Sequence, residues 1–477
     1  MTVSATPAVP IQQEPARLQR AMGFRDLLLF YLVTGFTVRW IGTAASAGPS
    51  AIVIWLTACL AFYVPLMFTV LELSSRYPNE GGCYVWSKRA FGDFAGFITG
   101  WTYWTCNLPY FPGLFYFTAA AALFIGGPRW QNLAERPLYF IAFSLLGLAL
   151  AAGLNVRGLA VGKWLHNLGA VGLWVPGILL LGLGVAAWLR FGSATPFTSE
   201  TMVPSTDLKD IVFWSTIAFS LSGLESASMM GEEIENPRRN IPRALLLAGA
   251  LITALYVLCT VAMLVALPAT NILHLQGFMK AIATVSDRLG VGQLVPLVAL
   301  LIVVGGLGQA GAWFAAGARL PFVAGLDRFL PAAFGRIHPR YGSPHISLIT
   351  QAGVAALFIL LGQAGTTVKG AYDVLVSMAI ISYFIPYLLM FASMIRLQRE
   401  PAGPDVIRVP GGRPVATALA AVGFVVTTVS IGLALIPAAD EPNKALAVAK
   451  VAGLTVLLVA SGALVYVLGT RREYARA

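Results

Sequence analysis

Charge is scarce in this sequence. Asp, Glu, Lys and Arg supply 11% of its 477 residues, where a soluble domain carries roughly a quarter. An ordinary soluble globular protein is thereby excluded. The hydrophobic content of 57% and a mean hydropathy of +0.76 exclude disorder as well, because a chain this apolar cannot stay solvated as a coil. Cysteine and histidine are rarer still. Cys59, Cys83, Cys106 and Cys259 show no C-x-x-C spacing, and His166, His274, His338 and His345 stand far apart. Neither set reads as a disulfide framework or a metal site, so no metal and no cofactor are expected. The first 23 residues hold Arg17 and Arg20 but no apolar run before Phe24, which argues against a cleavable signal peptide. Long polar loops are also missing. None exceeds about 25 residues, too few for a separate soluble domain. With no GxxxxGK[ST] phosphate loop, an ATPase or kinase is excluded. No nucleophile–base set converges in sequence, so an enzyme is not expected.

Long apolar runs are what the chain does have. A spanning helix needs about 20 mostly apolar residues. Twelve segments qualify: Phe24–Ala45, Ser50–Leu73, Phe94–Phe124, Leu138–Leu154, Trp164–Leu189, Ile211–Met230, Ile241–Leu267, Val291–Ala318, Pro344–Leu361, Tyr372–Leu397, Val415–Ile436 and Ala447–Gly469. The expected fold class is an all-α integral membrane protein with twelve transmembrane helices. Placing the N-terminus inside puts 22 of the 32 Lys and Arg residues in cytoplasmic segments and 9 outside, with Arg39 inside a span. That bias sets the orientation, with both termini cytoplasmic and the plasma (inner) membrane as the expected location. The net charge of +11 therefore describes topology, and nucleic acid is not an expected partner.

Polar and helix-breaking residues are expensive in hydrocarbon, so each asks for a reason. The first span reads Thr34-Gly35-Phe36-Thr37-Val38-Arg39-Trp40. Thr34 lies about 15 Å past Phe24 at 1.5 Å per residue, the middle of the bilayer core. Close packing through small residues is the plain alternative to a site there. The sixth span reads Ser220-Leu221-Ser222-Gly223-Leu224-Glu225-Ser226 at similar depth. Desolvation opposes the charged form of a lone buried carboxylate, which suits Glu225 to proton exchange. A structural ion pair or a hydroxyl hydrogen bond is the other reading. Weak segments one and six stand five helices apart, an odd offset, so the halves would be inverted. Such a pair is a pointer to a transporter site, because broken helices expose N–H groups at one end and C=O groups at the other. Arg39 has three open readings: contact with a substrate carboxylate, an outward snorkel, or a structural ion pair. Asn107, Tyr110, Pro109 and Pro112 interrupt the third span, where a cavity lining competes with kinked packing. Trp313 follows a small-residue run, Gly305 to Ala312, and reads as a pocket wall or as packing.

Gly223-Leu224-Glu225-Ser226-Ala227-Ser228, followed by Glu235-Asn236-Pro237-Arg238-Arg239-Asn240-Ile241-Pro242-Arg243-Ala244, resembles the signature of the amino acid–polyamine–organocation superfamily. Glu72-Leu73-Ser74-Ser75-Arg76-Tyr77-Pro78, with Gly81-Gly82-Cys83-Tyr84, is similar to the loop after its second helix. Arg319, Asp327-Arg328-Phe329-Leu330-Pro331 and His338-Pro339 are similar to the loop after its eighth. The resemblance is collinear over most of the chain and unspecific in the last two helices. It implies a five-plus-five inverted repeat plus two C-terminal helices, working by alternating access. The implied division is 1–23 cytoplasmic tail, 24–190 first repeat, 191–397 second repeat, and 398–477 the last two helices with the C-terminal tail. By resemblance to arginine/agmatine antiporters, Glu225 is linked to pH sensing and gating, and Trp313 contributes to the substrate pocket. The compact glycine break of many members is replaced here by Thr34 to Trp40. The glutamate/γ-aminobutyrate antiporters, which also lack it, resemble this chain in Phe111 to Phe117 and Gly311-Ala312-Trp313.

The expected function is a secondary active amino-acid transporter, an exchanger or proton-coupled. Its expected substrate-binding residues are Thr34, Gly35, Thr37, Arg39, Asn107, Tyr110, Ser220, Ser222, Gly223 and Trp313, with Glu225 coupling protons. The expected partners are an amino acid or related amine and the lipid bilayer, with a homodimer left open. Glu232, Glu233, Glu235, Arg238, Arg239 and Arg243 read as solvent-side groups of a gate or topology anchor. Lys163 reads as an interface anchor, or as a cation mimic of the kind some relatives use. Sodium-coupled symport of an amino acid or organic cation is the alternative within transport; a receptor or channel is the alternative outside it.

Overall fold

The computed structural model describes residues 20–205, 208–269, 272, 275–327, 329–363, 367–404, 406–437 and 444–474. Most of the N-terminal tail, with Arg17, and Arg328 and Arg476, both expected to be cytoplasmic, lie outside the described residues, as does His274. The described chain is helical. In order come α1 (Phe24–Gly35), α2 (Val38–Ala45), α3 (Ser50–Ala58), α4 (Val64–Arg76), α5 (Cys83–Phe91), α6 (Asp93–Thr105), α7 (Asn107–Ala122), α8 (Pro137–Val156) and α9 (Leu159–Phe191). Then follow α10 (Leu208–Ser220), α11 (Pro237–Ala266), α12 (Gly277–Arg288), α13 (Leu294–Leu326), α14 (His345–Gln363), α15 (Val368–Leu397), α16 (Gly412–Ala434) and α17 (Lys444–Tyr474). Among the described residues, nine helical segments are long and apolar enough to cross a membrane, and His345–Leu361 is a shorter apolar one. Their outer faces carry large exposed apolar side chains, such as Leu60, Leu138 and Leu189, each more than 70% exposed. A lipid surround accounts for that exposure.

The first span is two helices. Phe36 and Thr37 adopt extended backbone between α1 and α2. The sixth span differs from its expected form. Its α-helix stops at Ser220, Gly223 takes a φ of +103°, and residues 226–233 continue as a 3₁₀ segment. A side chain at Gly223 would be strained by that φ. Its Cβ would also lie 3.3 Å from the Thr34 carbonyl oxygen and 3.4 Å from the Trp313 ring, so the two broken spans meet there.

The small residues before Trp313 have a packing role. A Cβ on Gly308 would sit 2.3 Å from Gly169 Cα, so α13 and α9 touch backbone to backbone, the contact small residues permit in membranes. The last turns of α13 correct another expectation. Arg319 is within the helix and 2% exposed, not in a cytoplasmic loop.

Candidate functional site

The broken spans and four further helices line a cavity of about 380 Å³, part of it open to solvent. Thr34, Gly35 and Thr37 supply one wall, Ser220 and Ser222 the facing one, with Asn107, Tyr110 and Trp313 also in the lining. Gly223 stands at the break beside them. Three expected residues, Gly223, Arg39 and Glu225, lie outside the lining. Arg39 sits behind Trp40 and Tyr110, which do line it. Glu225 sits behind Tyr383, another lining residue, whose hydroxyl donates to it.

Side chains from distant helices hold the breaks open. The Tyr256 hydroxyl on α11 accepts the Thr37 N–H at 3.1 Å and donates to the Gly35 carbonyl at 3.2 Å. One hydroxyl thus joins both half-helix ends. Tyr256 is itself stacked on Trp55, with centroids 4.5 Å apart. The Gln309 side-chain amide on α13 donates to the carbonyls of Val33 at 2.8 Å and Phe36 at 3.2 Å. These are carbonyls that the end of α1 leaves without helical partners. The two broken spans also touch directly, with Ser226 Oγ 3.3 Å from Thr34 Oγ1. The Thr37 hydroxyl, in contrast, is buried with no hydrogen-bond partner among the described residues. The Trp313 ring meets Tyr110 and Tyr383 edge to face, at 5.8 and 5.6 Å.

Glu225 is 1% exposed. It accepts hydrogen bonds from Tyr103 at 2.7 Å, from Tyr383 and from Tyr387. No cation pairs with it among the described residues, so the hydroxyl reading applies. Tyr383 thus links the cavity lining to Glu225 through one hydrogen bond. Arg39 is equally buried at 1%. It neither snorkels to the surface nor forms an ion pair among the described residues.

Buried charge also lies farther along α13, past Trp313. Arg319 makes two hydrogen bonds to Glu233, at 2.6 and 2.8 Å, both side chains about 3% exposed. Glu233 is therefore no solvent-side group; Glu232, Glu235, Arg238, Arg239 and Arg243 are exposed as expected. The Glu233 carbonyl also accepts the N–H groups of Ala21 and Met22, tying the segment before α1 to the sixth span. Glu80, in the loop after α4, accepts the Glu232 N–H at 3.0 Å. Burial, then the nearby Glu233 carboxylate, hold the Glu80 carboxyl well above the usual carboxylate range, with Arg319 opposing. Lys163 pairs with Asp26 at 3.1 Å and donates to the Ala21 carbonyl, which anchors α9 to the start of α1.

Tyr103, Tyr256, Gln309, Tyr383 and Tyr387 were not among the expected site residues. Tyr383 and Tyr387 carry a signal in retrospect: two hydroxyls at i and i+4 share one face of a span. Tyr103 falls in an aromatic run, Trp101 to Trp104, that reads as packing.

The profile of the amino acid permease family matches residues 24–474. The chain belongs to this family, within the amino acid–polyamine–organocation superfamily. It is a multi-pass membrane permease and not an enzyme. A transporter of Legionella pneumophila without an assigned substrate is 28% identical over 434 residues, covering 89% of this chain and 92% of its own. A protein of Lactococcus lactis named as a probable agmatine/putrescine antiporter is 23% identical, covering 86% and 87%. The glutamate/γ-aminobutyrate antiporter of the same organism is 22% identical, covering 80% and 77%.

Proposed function

We propose that this permease is a secondary active amino-acid transporter of the inner membrane, an exchanger or proton-coupled, working by alternating access. The proposal includes twelve spans with both termini cytoplasmic. Residues 24–190 and 191–397 form the two inverted repeats, and 398–477 add the last two spans. The substrate occupies the cavity between Thr34–Thr37 and Ser220–Gly223, against Asn107, Tyr110 and Trp313. Glu225 takes up and releases the proton.

The observation that carries this reading is the meeting of two broken helices over one cavity backed by a buried carboxylate. Helix ends of this kind present N–H groups to a carboxylate and C=O groups to an ammonium. Sodium coupling is disfavoured by a positive contact: the Val33 and Phe36 carbonyls, suited to a cation, already accept from Gln309. A channel or receptor reading has no comparable feature.

The test is a thermal-shift screen of the purified permease against amino acids, their decarboxylated amines and polyamines, followed by uptake into proteoliposomes. A ligand of the native state raises the apparent melting temperature by mass action. Stabilisation by one chemical class, with saturable uptake of it, is the expected result. Ion conductance without saturable uptake would contradict it.

A further inference from the structure

Arg39 is a buried charge without an ion-pair partner among the described residues. It lies in the first turn of α2, 1% exposed. Its Nε and Nη1 have no hydrogen-bond partner among the described residues. No carboxylate there pairs with it. Three aromatic faces surround the guanidinium instead, with Trp40 at 3.9 Å, Tyr372 at 5.4 Å and Tyr110 at 5.7 Å from its central carbon. Ring faces attract a cation, but they leave its N–H donors unmade. A buried guanidinium in this condition calls for an anion.

The position indicates where the anion comes from. Trp40 and Tyr110 line the cavity and also hold Arg39. The lining itself contains no Lys, Arg or His. Glu225, the other buried charge at the site, already accepts three tyrosine hydroxyls and is not in contact with Arg39. A zwitterion carries no net charge and can be served by the half-helix ends. One extra carboxylate on the substrate would balance Arg39. Nε and Nη1, without hydrogen-bond partners among the described residues, leave donors for a carboxylate.

We infer that Arg39 recognises a second carboxylate on the substrate and makes the permease selective for acidic amino acids. The inference rests on the amino-acid reading of the cavity above. Gly113 on α7 supplies a control. A Cβ there would lie 3.5 Å from Arg39 Nη1, an ordinary contact. Gly113→Asp therefore places a carboxylate beside the guanidinium, keeping Arg39 and supplying an internal counter-ion.

The experiment measures the affinity of the full-length protein for L-glutamate and L-glutamine by thermal-shift titration. L-Glutamate is expected to bind about tenfold or more tightly than L-glutamine, the yield of one charge-assisted contact. Both Arg39→Gln and Gly113→Asp are expected to erase that preference while retaining glutamine binding. If Arg39→Gln fails to fold, Gly113→Asp carries the test. Equal affinity of the wild type for both ligands, or a preference that survives in Gly113→Asp, would overturn this inference and leave the amino-acid reading standing. Wild-type binding of no amino acid in the wider screen would overturn both.

Discussion

The Tyr387 hydroxyl joins Glu225 to the break of the sixth span. It donates to Glu225 Oε2 and accepts the Gly223 N–H at 3.1 Å. The hydrogen bonding of the carboxylate and the backbone at Gly223 are thereby linked through one oxygen. Tyr387→Phe leaves the buried Gly223 N–H unsatisfied, at a cost of about 1–3 kcal/mol. A lower unfolding midpoint in detergent, with reduced uptake, is the expected outcome. An unchanged midpoint would show that the backbone re-forms without Tyr387.

Gln309 does for the first span what Tyr387 does for the sixth. Gln309→Leu removes the donor from the Val33 and Phe36 carbonyls while keeping most of the volume. Two buried acceptors would then be unpaired, each costing about 1–3 kcal/mol. The melting temperature should fall. Added sodium chloride should restore part of it more effectively than choline chloride, because the freed carbonyls suit a small cation. No difference between the two salts would argue against that use of the carbonyls.

The Arg319–Glu233 pair is a buried contact whose loss strands charge. Arg319→Met leaves Glu80 and Glu233 facing each other without their cation. Removing one partner of such a pair costs about 3–5 kcal/mol. The companion Arg319→Met/Glu233→Leu should recover much of that loss, since apolar replacement of a whole pair is often neutral. Denaturant midpoints of the two variants measure the difference.

Glu80 adds a pH dependence. Its folded carboxyl holds its proton more tightly than the ordinary value of 4.5 would allow. The contribution of that proton to stability is full below pH 4.5. It is lost as pH rises toward and through the raised folded value. Glu80→Gln cannot ionise and keeps an acceptor for the Glu232 N–H. It should melt higher than the wild type at pH 7.5 and show little difference at pH 4.5. A variant that melts lower at pH 7.5 would reverse the assignment.

Much of this arrangement is legible in the sequence, for a physical reason. Thr34, Gly35, Thr37, Ser220, Ser222 and Gly223 are polar or small at mid-span depth, where hydrocarbon tolerates irregular backbone only around a cavity. The breaks are found at Phe36–Thr37 and after Ser220. Other features are hidden because their partners are remote. Tyr103 and Tyr383 reach Glu225 across 122 and 158 residues, and a tyrosine in a span looks like packing or an interface anchor. Arg319 reads as a loop charge because the sequence does not reveal that Glu233, 86 residues away, neutralises it. The end of the sixth span is misread for a similar reason. Ser226 to Met230 is apolar enough to extend a helix, but the positive φ of Gly223 has already turned the chain.

The most direct test of the account compares wild type and Glu225→Gln in proteoliposomes, measuring uptake of the substrate from the thermal-shift screen across pH 4.5 to 8.5. The account predicts that the variant folds, binds the substrate and loses the pH dependence that the wild type shows. A variant with the wild-type pH profile would contradict the role of Glu225 as the proton site.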